Sequence, residues 1–547
     1  MTRGRNALSP LAWAALLVAS LVAVPILSVA ANLLAGGSGD TWQHLASTVL
    51  PDYIVNTLLL CAGVSAGTIL IGVGTAWLVS VHDFPLRRVF EWALVLPLAV
   101  PAYVMAYTYT DLLQFVGPVQ TWLRSAFDLA PGQYWFPDIR TVTGATLIFI
   151  FVLYPYVYLL ARAAFLERAS GMLEVGRSLG LTAWQSFLRI SIPLARPAIA
   201  AGASLALMET LADYGAVSYF GVQTFTTGIY RAWFSLGDRV AAAQLSAVLL
   251  FFIALILFLE RVSRGNARFH NTTGRNRPMP GRRLRGPAAF GAIVACAVPL
   301  LLGFLVPGGV LLEMALTEGD AQFGERFFQL AHNSFTLAAV TALIAVAIAV
   351  LLAYAARMSR HPATGFVNRI VGLGYALPGS VIAVGVLIPV TRIDTWLAGS
   401  LQSLTGHNPG LLLTGGIAAL VYAYLVRFLT VSLGSVETSL AKITPAMDDA
   451  ARSLGYGQAE TLWRVHLPLL RGSMLTAGLL VFVDVMKELP ATLVMRPFNF
   501  DTLATQAYTL ASDERLTEAS TAALAIVAVG VLPLIIISRQ IARSRTR

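Results

Sequence analysis

The sequence predicts an all-α integral membrane protein whose twelve transmembrane helices form two parallel six-span repeats. Of the 547 residues, 57% are hydrophobic and only 12% are charged, whereas soluble domains carry about one quarter charged residues. Twelve apolar runs reach the roughly 20 residues that a helix needs to cross hydrocarbon. One polar, arginine-bearing segment between such runs occurs twice, which marks two copies of one module.

The runs cover 11–34, 53–81, 92–113, 142–161, 197–220 and 241–259 in the first half, and 287–312, 335–356, 370–390, 411–433, 472–495 and 519–537 in the second. They are expected as helices, because inside a bilayer only a helix or a closed barrel satisfies the backbone, and barrel strands are half as long and alternate. The first run follows Arg3 and Arg5, and Ser28, Ala30 and Ala31 imitate a signal-peptidase site. It is longer than a signal core and has an internal counterpart at 287–312, so it is expected to be an uncleaved span.

The net charge of +10 comes almost wholly from arginine, since the only lysines are Lys442 and Lys487. With the amino terminus placed in the cytoplasm, 29 Lys/Arg fall on inner segments and eight on outer loops. This excess predicts twelve spans with both termini inside, and it makes the basic balance a topology signal rather than a nucleic-acid footprint. Both copies of the polar segment then face the cytoplasm, and the repeats are related by an axis along the membrane normal.

Those copies are 174–193, EVGRSLGLTAWQSFLRISIP, and 449–468, DAARSLGYGQAETLWRVHLP, at a constant offset of 275. Gly180 and Gly455 are expected to take a positive φ, ending one short helix and turning the chain into the next. Pro193 and Pro468 suit the first turn of the following span. A single such segment reads equally well as a plain interhelical loop, but two with identical spacing read as handles for a soluble partner.

The pattern of an acidic residue, Gly six positions on, nine residues and then Ile/Val-x-Ile/Leu-Pro resembles the cytoplasmic loop signature of ABC importer permeases. It is carried by Glu174, Gly180 and Pro193, and by Asp449, Gly455 and Pro468. Val175-Gly176 in place of two alanines and Asp449 in place of Glu are departures that leave spacing and charge intact. The stretches at 219–234, YFGVQTFTTGIYRAWF, and 487–505, KELPATLVMRPFNFDTLAT, are similar to the ferric-iron branch, and the likeness covers nearly the whole chain. The resemblance implies a type I importer permease fold in the bacterial inner membrane, working by ATP-driven alternating access. It also implies two copies of a cytoplasmic ABC ATPase seated on the six loop residues, and a periplasmic iron-binding protein on the outer loops. Permeases for thiamine, polyamine, sulfate or phosphonate share the architecture. An ion-coupled secondary transporter is the rival of another class, and it has no need of paired cytoplasmic loops.

Module boundaries are expected at 1–260, with a coupling loop at 172–193, and at 287–547, with its loop at 447–468. The linker at 261–286 is arginine-rich, and its charge suits anionic lipid heads as well as topology. Asn56 pairs with Asn333 and Pro101 with Pro378. About seven extra residues precede the second loop, so the helix around Arg427 is expected to reach further into the cytoplasm.

No Gly-Lys-Ser/Thr occurs, so the chain carries no P-loop, and ATP with its Mg is assigned to the separate ATPase, leaving this chain without a cofactor of its own. No His-Glu-x-x-His or Gly-x-Ser-x-Gly offers catalysis, and the chain is expected not to be an enzyme. His466 reads as a packing or surface residue. Cys61 and Cys296 lie in separate apolar runs and give neither a disulfide framework nor a zinc site.

Four carboxylates fall within spans: Glu209 and Asp213, then Asp484 and Glu488 at the offset of the loops. Four residues turn a helix by about 400°, so each pair is expected to share a face. Ionised groups at membrane depth mark a pathway or a partner. Either they cap neighbouring helices and pair with Lys487, or the two faces meet and line an acidic path for a hard cation in transient contact, with no resident metal.

Overall fold

Hydrocarbon gives backbone groups no partner, and the described chain is accordingly helical almost throughout. The computed structural model describes residues 10–33, 39–178, 180–264, 282–317, 324–358 and 362–544. The first half holds α1 (Pro10–Leu33), α2 (Gly39–Thr48), α3 (Leu50–Val81), α4 (Arg87–Ala93), α5 (Ala102–Leu113) and α6 (Pro118–Phe127). It continues with α7 (Val142–Ser178), α8 (Ala183–Ser186), α9 (Ile192–Ala212), α10 (Gly215–Tyr219), α11 (Phe225–Tyr230) and α12 (Arg239–Arg264). The second half holds α13 (Pro287–Leu300), α14 (Val306–Thr317), α15 (Glu325–Met358), α16 (Pro362–Leu373), α17 (Gly379–Thr405) and α18 (Ala418–Leu440). Then come α19 (Pro445–Ser453), α20 (Gln458–Thr461), α21 (Leu467–Met486), α22 (Pro490–Met495), α23 (Leu503–Ser512) and α24 (Leu516–Ser544). Among the described residues eleven helical segments are long and apolar enough to cross a membrane, and a twelfth is a bent pair.

Four of the expected spans are broken, and the break positions repeat between the halves. In the run 92–113 the chain is extended at Pro101, with ψ 144°, and the helices on either side are bent by 91°. In the run 370–390 it is extended at Pro378, again with ψ 144°. A proline ring crowds the residue before it out of the helical region, and Val100 and Leu377 are extended accordingly, at ψ 117° and 127°. The runs 197–220 and 472–495 break after Ala212 and Met486, where α10 and α22 follow as separate short helices.

Local irregularity repeats as well. A π-helical turn occupies Phe187–Ser191, and another occupies the matching positions of the second copy, Leu462–His466. Pro193 and Pro468 sit in the first turn of the helices that follow. Neither has an N–H to close the regular ladder, so a wider turn just ahead of each has a physical reason.

The structure contains two compact units. One takes His44–Gly228, Leu249–Gln322 and Ala507–Arg547. Within it α3, α7 and α9 pack closely because glycine permits it: a Cβ on Gly72 would lie 2.7 Å from Val157 Cβ, and one on Gly202 would lie 2.7 Å from Val157 Cα. Cys296 and Leu300 of α13 join that core beside Val73, Trp77 and Tyr154. Cys61 and Cys296 are free thiols.

The other unit takes Met1–Gln43, Ile229–Val248 and Phe323–Gln506. Here α15, α18 and α21 pack together, and α1 lies on α16 and α17. Pro25 leaves the carbonyl of Leu21 without its helical donor. The Tyr422 hydroxyl supplies one at 2.5 Å, and Gly385 brings its backbone against Pro25, where a Cβ would meet the carbonyl oxygen at 2.5 Å. The halves 1–260 and 287–547 are thus repeats of sequence, whereas compactness groups α1 with helices of the second half and α13 with helices of the first.

The extra residues before the second loop do not lengthen α18. It stops at Leu440, and the chain turns at 441–444 into the separate helix α19. The corresponding α7 instead runs unbroken to Ser178.

Candidate coupling loops and intramembrane carboxylates

Gly180 and Gly455 have φ of +71° and +82°, as the turn requires. A Cβ on either would meet nothing within 4 Å, so backbone conformation rather than crowding demands glycine there. Gly455 ends the nine-residue α19, but Gly180 follows the 37-residue α7 rather than a short helix. Gly180, Pro193, Gly455 and Pro468 are all exposed. Asp449 is exposed on α19 and pairs with Arg452 one turn on. Glu174 lies on α7, and its side chain is outside the described residues.

Apolar side chains around these loops also reach solvent, with Trp184 65%, Leu454 71% and Trp463 71% exposed. The first loop is fixed from beneath by aromatic packing: Phe187 packs at a tilt on Trp77 with centroids 4.7 Å apart, and Phe165 meets Trp77 edge-on at 5.5 Å.

The four intramembrane carboxylates do not form two helical pairs. Glu209 and Asp484 lie on α9 and α21, but Asp213 and Glu488 fall beyond the ends of those helices, so neither pair lies on one helical face. Asp213 Oδ1 accepts from the amides of Ala216 at 2.9 Å and Val217 at 3.3 Å, at the start of α10. Its backbone carbonyl accepts from the Thr226 hydroxyl at 2.7 Å. Glu488 accepts from the amides of Ala491 at 2.9 Å and Thr492 at 3.1 Å, at the start of α22. Each acid therefore holds a sharp break in its span by satisfying amides that have no helical partner.

The surroundings of the two acids differ. Glu488 is 5% exposed, and Arg427 Nη1 lies 3.5 Å from its Oε1. Gly379 faces it closely, since a Cβ there would come 2.5 Å from Oε1. Tyr424 and Thr492 share a hydroxyl contact of 2.5 Å beside it. Asp484 forms an ion pair with Lys487 at 3.0 Å. In this unit two cations therefore face two acids. Asp213 instead sits among tyrosines: Tyr214 packs on Tyr508 at 5.8 Å, and Ser218 shares a 3.2 Å hydroxyl contact with Tyr508. Among the described residues no three His, Cys, Asp or Glu side chains converge as a metal-binding group.

The segment after each break is tied back alike. Asn56 Nδ2 donates to the Gln223 carbonyl at 2.9 Å, and Asn333 Nδ2 donates to the Asp501 carbonyl at 3.0 Å. The amide of Thr224 donates to Thr227 Oγ1, and that of Thr502 to Thr505 Oγ1, both at 2.9 Å. Sequence reading paired the asparagines without finding their partners, and it missed both threonine turns. The Thr-x-x-Thr spacing, present at corresponding places in the two halves, was the available signal. It also missed Asp394, fully buried on α17, which gathers the amides of Leu412, Leu413 and Thr414 and so fixes the loop into α18.

Comparison with known proteins follows the same lines. Residues 67–267 match the family described as binding-protein-dependent transport system inner membrane component. The Fe(3+)-transport system permease protein FbpB 2 of Haemophilus influenzae is 27% identical over 540 residues, which are 96% of this chain and 98% of that protein. The ferric transport system permease protein FbpB of Actinobacillus pleuropneumoniae is 22% identical over 76% of this chain and 60% of its own. The sulfate transport system permease protein CysT of Escherichia coli is 25% identical over 44% of this chain and 87% of its own.

Proposed function

We propose that this chain, a polytopic membrane protein resembling the binding-protein-dependent inner-membrane components over residues 67–267, is the permease of an ABC importer that admits ferric iron handed over by a periplasmic binding protein. The supporting observation is the repeated polar segment whose positive-φ glycine, Gly180 or Gly455, occurs twice at one spacing. End-to-end similarity to an Fe(3+) permease supports the substrate.

In this reading two copies of a cytoplasmic ATPase grip the loops through Glu174, Gly180 and Pro193 and through Asp449, Gly455 and Pro468. The ATPase binds ATP and Mg, and this chain performs no covalent chemistry. Closure of the ATPases moves the loops, and the helices respond by favouring one of two access states, a matter of differential binding rather than catalysis. Both termini then lie in the cytoplasm, and the outer loops receive the binding protein. Glu209, Asp213, Asp484 and Glu488 are assigned to the path.

Reconstituted vesicles decide the matter. Uptake of iron from the loaded binding protein should require the ATPase subunits and ATP, and should survive collapse of ion gradients. Uptake that persists without ATPase but stops when the gradients collapse would instead establish a secondary transporter. The similarity to a sulfate permease favours sulfate as the second substrate to assay.

A further inference from the structure

Beneath the second loop lies a partly buried cluster of charged and polar groups that the coupling reading leaves unused. Arg357, near the end of α15, donates to Asp448 Oδ2 from Nε at 3.0 Å and from Nη2 at 2.8 Å. The same guanidinium reaches the carbonyls of Leu440 at 2.8 Å and Ile443 at 2.9 Å, where α18 ends. The other oxygen of Asp448 meets His466 Nε2 at 2.7 Å. His466 is fully buried in the π-helical turn that leads into α21, and its ring packs edge-on against Tyr354, 5.4 Å between centroids. Tyr354 in turn donates to the Gln458 carbonyl at 2.7 Å.

Asp448 belongs to the first turn of α19, the short helix that carries Asp449. Asp448 thus ties the exposed loop helix to α15 and to the turn before α21, and Arg357 ties α15 to the end of α18; α15, α18 and α21 are the three helices that pack together in that unit. Two guanidinium N–H groups converge on one carboxylate oxygen while the other oxygen meets His466, and such charge-assisted contacts hold the side chains more firmly than a single hydrogen bond between exposed groups does. The first loop uses other chemistry at matching positions. Trp77 stands where Tyr354 does, at the spacing that also relates Asn56 to Asn333, and Ser191 stands where His466 does, at the spacing of the loops themselves.

We propose that Arg357, Asp448 and His466 are positioning residues of import: a strut that carries displacement of α19 into α15 and α21. The proposal rests on the reading of 447–468 as a coupling loop. Without the strut, α19 still engages the ATPase through its exposed face but moves without taking the helices along, so ATP is hydrolysed without transport.

The test uses the complete complex with its ATPase in proteoliposomes, with binding protein loaded with Fe(3+), and reads iron imported per ATP hydrolysed. Replacing all three by apolar groups, Arg357→Met with Asp448→Leu and His466→Phe, leaves neither a lone charge nor a buried imidazole stripped of its partner, so stability should hold. The ratio should then fall roughly tenfold, within the range of ordinary coupling effects, while ATPase copurification and melting temperature stay as in the parent. A ratio equal to the parent's overturns the proposal. Should this combined variant fail to insert, Asp448→Asn decides by the same reading: a lowered ratio supports the strut and an unchanged one removes it. ATPase that stays bound when charge reversal at Glu174 and Asp449 is combined with Trp184→Ser, Leu454→Ser and Trp463→Ser, which removes the exposed apolar groups of both loops as well, removes the coupling reading itself, and the proposal with it.

Discussion

Asp213 and Glu488 occupy equivalent positions of the two repeats and do the same local work, each accepting from the amides three and four positions ahead of it. Each sits where a membrane helix stops and a short one begins, so a carboxylate takes up the amides that the break releases. The arrangement separates two roles that a single substitution would otherwise confuse. Asparagine keeps a capping oxygen and discards the charge, whereas alanine discards both.

Asp213→Asn should therefore leave thermal stability near that of the parent, while Asp213→Ala should lower it by about 1 kcal/mol, the usual loss for an N-terminal cap. If the carboxylate also serves the path, Asp213→Asn combined with Glu209→Gln reduces iron uptake at unchanged melting temperature and ATP turnover. Normal uptake in that double variant would confine Asp213 to its structural role.

Arg427 and Glu488 are 3.5 Å apart and both nearly buried. Arg427→Met alone leaves the acid without that cation and should destabilise the protein by about 3–5 kcal/mol, read as loss of folded permease in detergent. Adding Glu488→Gln should recover most of the yield. No recovery would mean that the charge on Glu488 is wanted for more than pairing.

At Gly180 and Gly455 the strain is one of backbone handedness, because a Cβ would find open space. Valine at both positions should cost about 1–2 kcal/mol per site and uncouple hydrolysis from transport without preventing insertion. Asparagine enters the left-handed region more readily than other side chains and should restore part of the coupling. Equal transport in the valine and asparagine variants would contradict a conformational role.

Asp449 is exposed and its partner Arg452 is a near neighbour on the same helix, so the local pair contributes little to stability. Reversal to Lys at Glu174 and Asp449 should release the ATPase subunits on purification while leaving melting unchanged. Undiminished association would move the grip to the exposed apolar groups, Trp184, Leu454 and Trp463.

The class of this protein was legible along the chain, because hydrophobic run length answers to the bilayer alone and needs no knowledge of neighbours. So were the repeat, the positive-φ glycines at 180 and 455 and the prolines at 193 and 468, since these are short-range constraints of backbone geometry. Where the apolar runs break was settled by the folded chain: an acid at 213 or 488 reads the same whether it faces a path or caps a helix, until the amides beyond it are placed. The ties of Asn56 to the Gln223 carbonyl, Arg427 to Glu488 and Arg357 to Asp448 join residues 61 to 167 positions apart. The grouping of α1 with helices of the second half is of the same kind. Partners that distant leave no periodic trace in a single chain, because packing follows complementary surfaces rather than order along the sequence.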